Sequence, residues 1–321
     1  MKRIFQQSVL TIAASFFIAA TAAAQAIDES FKRSSIGMIA ELINENYVFP
    51  EVADKTSKHI QQKLEDGGFR NDTTAVLFAA ALTRELQSVN HDKHMRVRTG
   101  TPQSPLRPGA DGNAGFKEVK LLEGNIGYVD MRLFFPASMA AGKADDAMKQ
   151  LAGADAIIID LRNNGGGSPD MVQYLCSYFF DKKIHLNSLY SRSDNATREF
   201  WTREVDGKKL PDIPLFILTS QKTFSGAEEF SYNMQTQKRA VLVGETTGGG
   251  ANPGGVFPVN EQLNIFIPTG TAINPVTKTN WEGTGVKPDI FVTADKALEQ
   301  TLPLARAAAQ QYAGSNKKKG F

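Results

Sequence analysis

Apolar residues change their spacing along this chain, and each change predicts a different kind of element. From residue 28 to 90 they recur every three or four positions: Phe31, Ile39, Leu42 and Ile43, then Val52, Ile60 and Leu64, then Phe78, Leu82, Leu86 and Val89. This predicts three helices. Asn46-Tyr47-Val48-Phe49-Pro50 breaks the first, Gly67-Gly68 ends the second, and Asp72 or Thr73 caps the third. Residues 98–115 are rich in Gly and Pro and lack periodicity, so they read as a linker or surface loop. Short apolar runs then alternate with helical stretches. A hairpin is expected over 119–133, turning at Glu123-Gly124-Asn125. A helix over 138–151 leads to a strand at 156–160. A second helix opens at Ser168-Pro169, with Met171, Val172, Leu175 and Phe179 on its apolar face. A strand at 215–219, a helix after Ser225 and a strand at 240–243 follow. Strands alternating with helices predict an α/β fold, with a largely parallel sheet covered on both faces. After Gly255 the pattern becomes short strands such as 263–267, and a last helix is expected over about 293–312.

Composition narrows the class. The 321 residues are 41% hydrophobic with a formal net charge of +2. This is an ordinary balance for a soluble globular protein and argues against nucleic acid as the main partner. Lys317-Lys318-Lys319 reads as a solvated basic tail at 313–321. The basic start Met1-Lys2-Arg3, the apolar run 9–24 and the small-residue site Ala22-Ala23-Ala24 predict a secretory signal peptide over 1–24, with an uncleaved anchor as the alternative. The mature protein is then expected in the periplasm or outside the cell, without stable membrane insertion. Cys176 is the single cysteine, so no intramolecular disulfide is available; its helical neighbours make it a small buried hydrophobe.

Three stretches could carry chemistry. Ser225 lies where the apolar strand 215–219 turns into a helix, beside unpaired N–H groups and the positive helix end that an oxyanion needs. Ser225-Gly226-Ala227-Glu228 is also an ordinary capping box. The loop Asp160-Leu161-Arg162-Asn163-Asn164-Gly165-Gly166-Gly167 fits neither a dinucleotide fingerprint nor a phosphate-binding loop. An oxyanion-binding turn and a plain strand-to-helix turn both remain. Gly244-Glu245-Thr246-Thr247-Gly248-Gly249-Gly250 follows another strand, where α/β sheets bind ligands, and reads equally as a flexible connection. Among the four histidines, His59 and His185 fall inside regular elements, whereas His91 and His94 lie at a helix-to-loop junction suited to a working base. No cluster has zinc-ligand spacing, and no metal or other cofactor is expected.

Together, Thr219-Ser220-x-x-Thr223-x-Ser225-Gly226-Ala227-Glu228, the Asn163–Gly167 loop, the Gly244–Gly250 loop and Asp92-Lys93-His94 resemble the tail-specific (C-terminal processing) serine protease family. The resemblance is closest to the branch of tricorn protease and the interphotoreceptor retinoid-binding protein, and it covers roughly residues 30–295. It implies a crotonase-like α/β peptidase core at 116–312 and an N-terminal helical bundle domain at 25–97, joined by the linker at 98–115. It also implies site residues. Ser225 matches the nucleophile, His94 the general base with His91 as fallback, and Glu282 the carboxylate of the charge network. Gly226 and Gly166 match the oxyanion donors, and Gly165, Gly167, Gly248 and Gly249 the substrate-binding loops.

This sequence departs from the pattern in three places. The tail-specific branch has a Ser–Lys pair with its lysine in the loop that here reads Gly248-Gly249-Gly250, and no lysine occurs between Arg239 and Thr277. The tricorn-like branch has a serine where Lys93 stands, so that link from histidine to carboxylate does not carry over. The stretch between His94 and Gly127 is too short for a PDZ domain. The expected activity is therefore that of an exported serine-type peptidase acting on peptide or protein substrates, with an acid limb near pH 6–7 if His94 is the base. A non-catalytic retinoid- or lipid-binding carrier on the same fold is the alternative, and an esterase would use the same machinery.

Overall fold

The computed structural model describes residues 26–100 and 112–319. The expected signal peptide and the 101–111 part of the expected linker lie outside the described residues. The helical pattern folds into α1 (Glu29–Asn46), α2 (Pro50–Glu65) and α3 (Ala75–Asn90). Asp28 caps α1 by accepting the Phe31 N–H at 2.7 Å. Pro50, which breaks the sequence pattern, is the first residue of α2, where its missing N–H costs nothing. Thr74 caps α3, just past the two expected candidates. These helices do not close a core on themselves. Ile39, Ile43, Ile60, Phe78 and Leu82 share a buried cluster with Leu263, Ile265 and Ile267. The latter three belong to an antiparallel sheet of β1 (Arg96–Thr99), β10 (Leu263–Pro268) and β9 (Gly254–Pro258), in the order β1-β10-β9. The helical unit is thus packed on strands from far along the chain.

The central sheet contains β2 (Phe116–Leu122), β3 (Ile126–Met131), β4 (Ala156–Asp160), β7 (Leu215–Thr219), β8 (Val241–Gly244) and β12 (Ile290–Phe291), in the order β12-β8-β7-β4-β3-β2. β2 and β3 form the antiparallel hairpin, and every other neighbouring pair is parallel. Parallel neighbours need crossovers. α4 (Ala137–Leu151) supplies one between β3 and β4, and α6 (Gly226–Thr236) another between β7 and β8. Between β4 and β7 lie α5 (Pro169–Ser177) and the hairpin β5 (His185–Ser191) and β6 (Ala196–Trp201), which β11 (Gly270–Ile273) extends to a third sheet.

Both faces of the central sheet are covered, which is why its strands read as unbroken apolar runs. Ile157, Ile159 and Ile217 pack with Phe230 and Met234 of α6. Ile158, Phe216 and Leu218 pack with Ala305 and Ala309 of α7 (Ala297–Lys319). α7 begins four residues later than expected, contains Pro303, and continues through Lys319 where a tail was expected. Because β4, β7 and β8 are adjacent and parallel, the loops leaving their carboxyl ends meet at one edge of the molecule.

Candidate active site

The turn from β7 into α6 is pinned to the loop after β4. Thr223 Oγ1 accepts the Ser220 N–H (2.9 Å) and donates to Leu161 O (2.8 Å), Ser220 Oγ donates to Arg162 O (2.5 Å), and the Phe224 N–H donates to Asn164 O (3.1 Å). Held this way, Ser225 adopts φ 54° and ψ −122°, a region that L residues avoid at a cost of about 1–3 kcal/mol. Glu228 accepts the Ser225 N–H at 2.8 Å, as the expected capping box requires. Glu228 does more than cap. It is fully buried, and its carboxylate also takes the N–H groups of Gly249 (2.6 Å) and Gly250 (2.8 Å) and the Thr247 hydroxyl. Burial pushes its carboxyl up, and these donors oppose the shift.

The Asn163–Gly167 loop lies against this turn. A Cβ at Gly166 (φ 102°) would stand 2.7 Å from Ser225 Cβ and 2.8 Å from Gly226 N, so only glycine allows the approach. The Gly166 N–H, expected as the second oxyanion donor, is given to the side chain of buried Asn164 at 2.8 Å. Among the described residues the Gly167 and Gly226 N–H groups make no hydrogen bond, and Gly167 N lies 3.1 Å from where a Gly226 Cβ would be. Gly165 is exposed and faces open space.

The third loop brings in residues distant in sequence. Gly248 N–H donates to Thr223 O at 2.9 Å. Trp281 Nε1 donates to Gly250 O (2.8 Å), Gly283 N–H to Gly249 O (3.1 Å) and Ala251 N–H to Glu282 Oε2 (2.5 Å), so the 281–283 turn is fastened along the glycine loop. His94 arrives from just beyond α3. Its ring packs on Phe224, the residue before Ser225, with centroids 4.5 Å apart. Gly250 must lack a side chain here too, since a Cβ would stand 2.7 Å from His94 Cε1 and overlap Phe224. Burial, helped by the charge of Arg96, brings the imidazole down to about 4. Among the described residues no hydrogen bond joins His94 to the Ser225 hydroxyl. Lys93 Nζ donates to Gly248 O at 2.6 Å and so takes no part in a link from His94 to Glu282.

The structure therefore gathers Ser225, Gly226, Gly166, Gly167, Gly248, Gly249, His94 and Glu282 in one place, with Gly165 at its exposed rim. His91 is exposed and ends α3 in a left-handed conformation. His59 bonds Glu85 at 2.9 Å, and His185 stacks on Trp201 at 4.5 Å. Sequence reasoning missed Asp92. It is 1% exposed, and its donor atom lies with those of His94 and Glu282 inside a span of 4.8 Å. Its signal was its place in His91-Asp92-Lys93-His94. A histidine and two carboxylates could hold a cation, but zinc ligands at about 2.0–2.2 Å from the ion would have to draw closer together than these do. Among the described residues no hydrogen bond joins the three side chains to one another; Asp92 Oδ1 stands 3.8 Å from His94 Nδ1. A groove of about 550 Å³ opens beside the site, lined by Ser168, Asp170, Tyr190, Arg198, Pro253 and Gly254 among others.

Fold and loops define an open-sheet α/β protein whose polar machinery lies at the carboxyl ends of parallel strands. The chain belongs to peptidase family S41, whose profile matches residues 125–292; a second profile, the N-terminal domain of this peptidase in eukaryotic IRBP, matches residues 21–118. It is 25% identical over 211 residues to carboxyl-terminal-processing peptidase 2, chloroplastic, of Arabidopsis thaliana, covering 65% of this chain and 36% of that protein. The chain thus spans about a third of the length of the curated relatives it matches. Solved structures share the fold. A lipoprotein from Streptococcus agalactiae superposes with a TM-score of 0.59 at 14% identity, over 86% of this chain and 96% of that one. The photosystem II D1 C-terminal processing protease superposes with a TM-score of 0.52 at 13% identity, over 86% and 97%.

Proposed function

We propose that this chain is an exported serine-type peptidase that cleaves peptide bonds through Ser225. The observation that carries the reading is the strained Ser225 at the start of α6, beside the free N–H groups of Gly226 and Gly167. Ser225 Oγ attacks the scissile carbonyl while His94 takes its proton, later giving it to the leaving amine. Gly226 and the Gly166–Gly167 turn hold the oxyanion, Gly167 with the unengaged N–H. Glu282 and Asp92 stand together behind His94. The ring has to move onto the serine when substrate binds, as catalytic hydrogen bonds often tighten only in the complex. The substrate is a peptide or protein lying in the groove lined by Ser168 and Pro253. No cofactor is invoked.

A carrier of apolar ligands is the second reading. It is favoured by the match of residues 21–118 to the domain found in eukaryotic IRBP and by the unmade bond between His94 and Ser225. A fluorophosphonate probe separates the two. Labelling of wild type but not of Ser225→Ala, together with peptide turnover, supports the peptidase. An unlabelled protein that turns over no peptide but binds retinol is a carrier.

A further inference from the structure

The cluster behind His94 holds two carboxylates, and a single imidazolium needs one negative charge. We propose that Asp92, rather than Glu282, is the anion that orients the His94 ring and balances its charge, an assignment that rests on the peptidase reading above.

The two acids are held differently. Asp92 Oδ1 accepts the backbone N–H of His94 at 2.9 Å. Its Oδ2 accepts the Asn252 amide at 2.8 Å and, at 3.5 Å, the Tyr47 hydroxyl. Burial pushes the Asp92 carboxyl up, and donors from three separate segments oppose that shift, fixing the direction of the carboxylate and favouring its charged form. His94 Nδ1 is buried without a partner, and Asp92 Oδ1 stands 3.8 Å from it. A ring movement of less than about 1 Å would bring it to hydrogen-bond distance. Glu282 has far less support. Its Oε2 takes the Ala251 N–H, the Asn252 N–H adds weaker support, and its Oε1 is buried with no partner. Its acidic neighbours are Asp92 and Glu228; Arg96, the nearby cation, acts on His94, and Lys93 is turned to Gly248.

Two buried carboxylates this close do not both ionise cheaply, and the shared proton stays on the one with fewer donors. Burial and the charge of Asp92 accordingly push Glu282 up to about 8. At neutral pH Glu282 is then a neutral acid and Asp92 carries the charge. With Nδ1–H held by Asp92, the lone pair of Nε2 faces the serine. The Ser225 O–H bond breaks as the new C–O bond forms, and the proton moves to Nε2. It leaves on the amine nitrogen when the peptide C–N bond breaks, and Asp92 is never itself protonated.

The test uses the full chain labelled with ¹⁵N-histidine at pH 7, the His94 signals being assigned by their loss in His94→Gln. Wild type and Glu282→Gln should both show the Nδ1–H tautomer, and Asp92→Asn should lose it. In turnover, Asp92→Asn should lower kcat by about 10³–10⁴-fold with KM changed little, the scale of losing the orienting acid of a triad. Glu282→Gln should cost less than about tenfold, and Asp92→Glu should recover part of the lost rate. Loss of the Nδ1–H tautomer in Glu282→Gln, or its persistence in Asp92→Asn, overturns the assignment. If Asp92→Asn does not fold, Glu282→Gln against wild type still decides: tautomer kept supports Asp92, tautomer lost refutes it. A protein that neither labels with fluorophosphonate nor turns over peptide refutes the peptidase reading, and the tautomers then report on Asp92 alone.

Discussion

At Ser225 the backbone conformation itself stores energy, and substitutions can separate that strain from chemistry. Ser225→Ala keeps the strain and should abolish turnover while changing stability by no more than about 1 kcal/mol, the scale of a lost cap. Ser225→Gly removes the Cβ from a positive-φ position and should be more stable than Ser225→Ala by roughly 1 kcal/mol in urea unfolding. Ser220 is the contrast. Its hydroxyl is fixed between Arg162 O and the Lys222 N–H, so Ser220→Ala should keep most activity at a stability cost of about 1 kcal/mol. His94 changes the pH expectation. The sequence alone suggests an acid limb near pH 6–7, but burial lowers this imidazole to about 4. A base that stays neutral to lower pH moves the limb of kcat/KM below pH 6. The same depression makes the unfolded chain bind the proton first, so His94 removes stability as pH falls from about 6.5 towards 4. A limb that remains at 6–7 would mean that the ring is solvated, or paired with charged Asp92, in the working enzyme.

At the level of elements, α6 carries two consecutive buried glutamates with opposite prospects. Glu228 serves four donors from the turn and the glycine loop, and Glu228→Gln, with one carbonyl oxygen left, should destabilise by about 1–3 kcal/mol. Glu229 is pushed up to about 8 by burial. The folded state keeps that proton until about pH 8, whereas the unfolded chain releases it near 4.5. Stability from this group is therefore full below about pH 4.5 and is lost as pH rises through 8. Glu229→Gln should flatten the fall of the urea midpoint between pH 5 and 9; an unchanged slope would place the proton elsewhere. Elements were legible where burial is one- or two-sided and regular, as in α1–α3, β4 and β7. β6 was missed because Ala196, Thr197, Arg198 and Glu199 are exposed and give an edge strand no apolar alternation. Asp92 was missed for a related reason. A carboxylate just past a helix end reads as solvated, and its burial comes from Tyr47 and Asn252, 45 and 160 positions away. The Ser225 turn, by contrast, was visible because strand, turn and cap are all local.

Across the whole molecule, the site joins two regions that the sequence presents as separate. His94 and Asp92 leave α3, whose core is completed by β10, while Ser225 and Glu282 belong to the sheet side. Loosening the packing between them, as with Ile265→Ala in the shared core, should cost about 2–5 kcal/mol and lower kcat even under conditions where the protein stays folded. Export is checked separately, by sequencing the purified protein's N-terminus: a start near Gln25 is expected, and an intact Met1 in a membrane-bound product would oppose it. The bare backbone at Gly250 has a longer reach. Any Cβ there meets both the His94 ring and Phe224, so position 250 cannot gain a lysine while the histidine stays in place. At that one position the order of any exchange is fixed: the imidazole has to leave before an amine can enter.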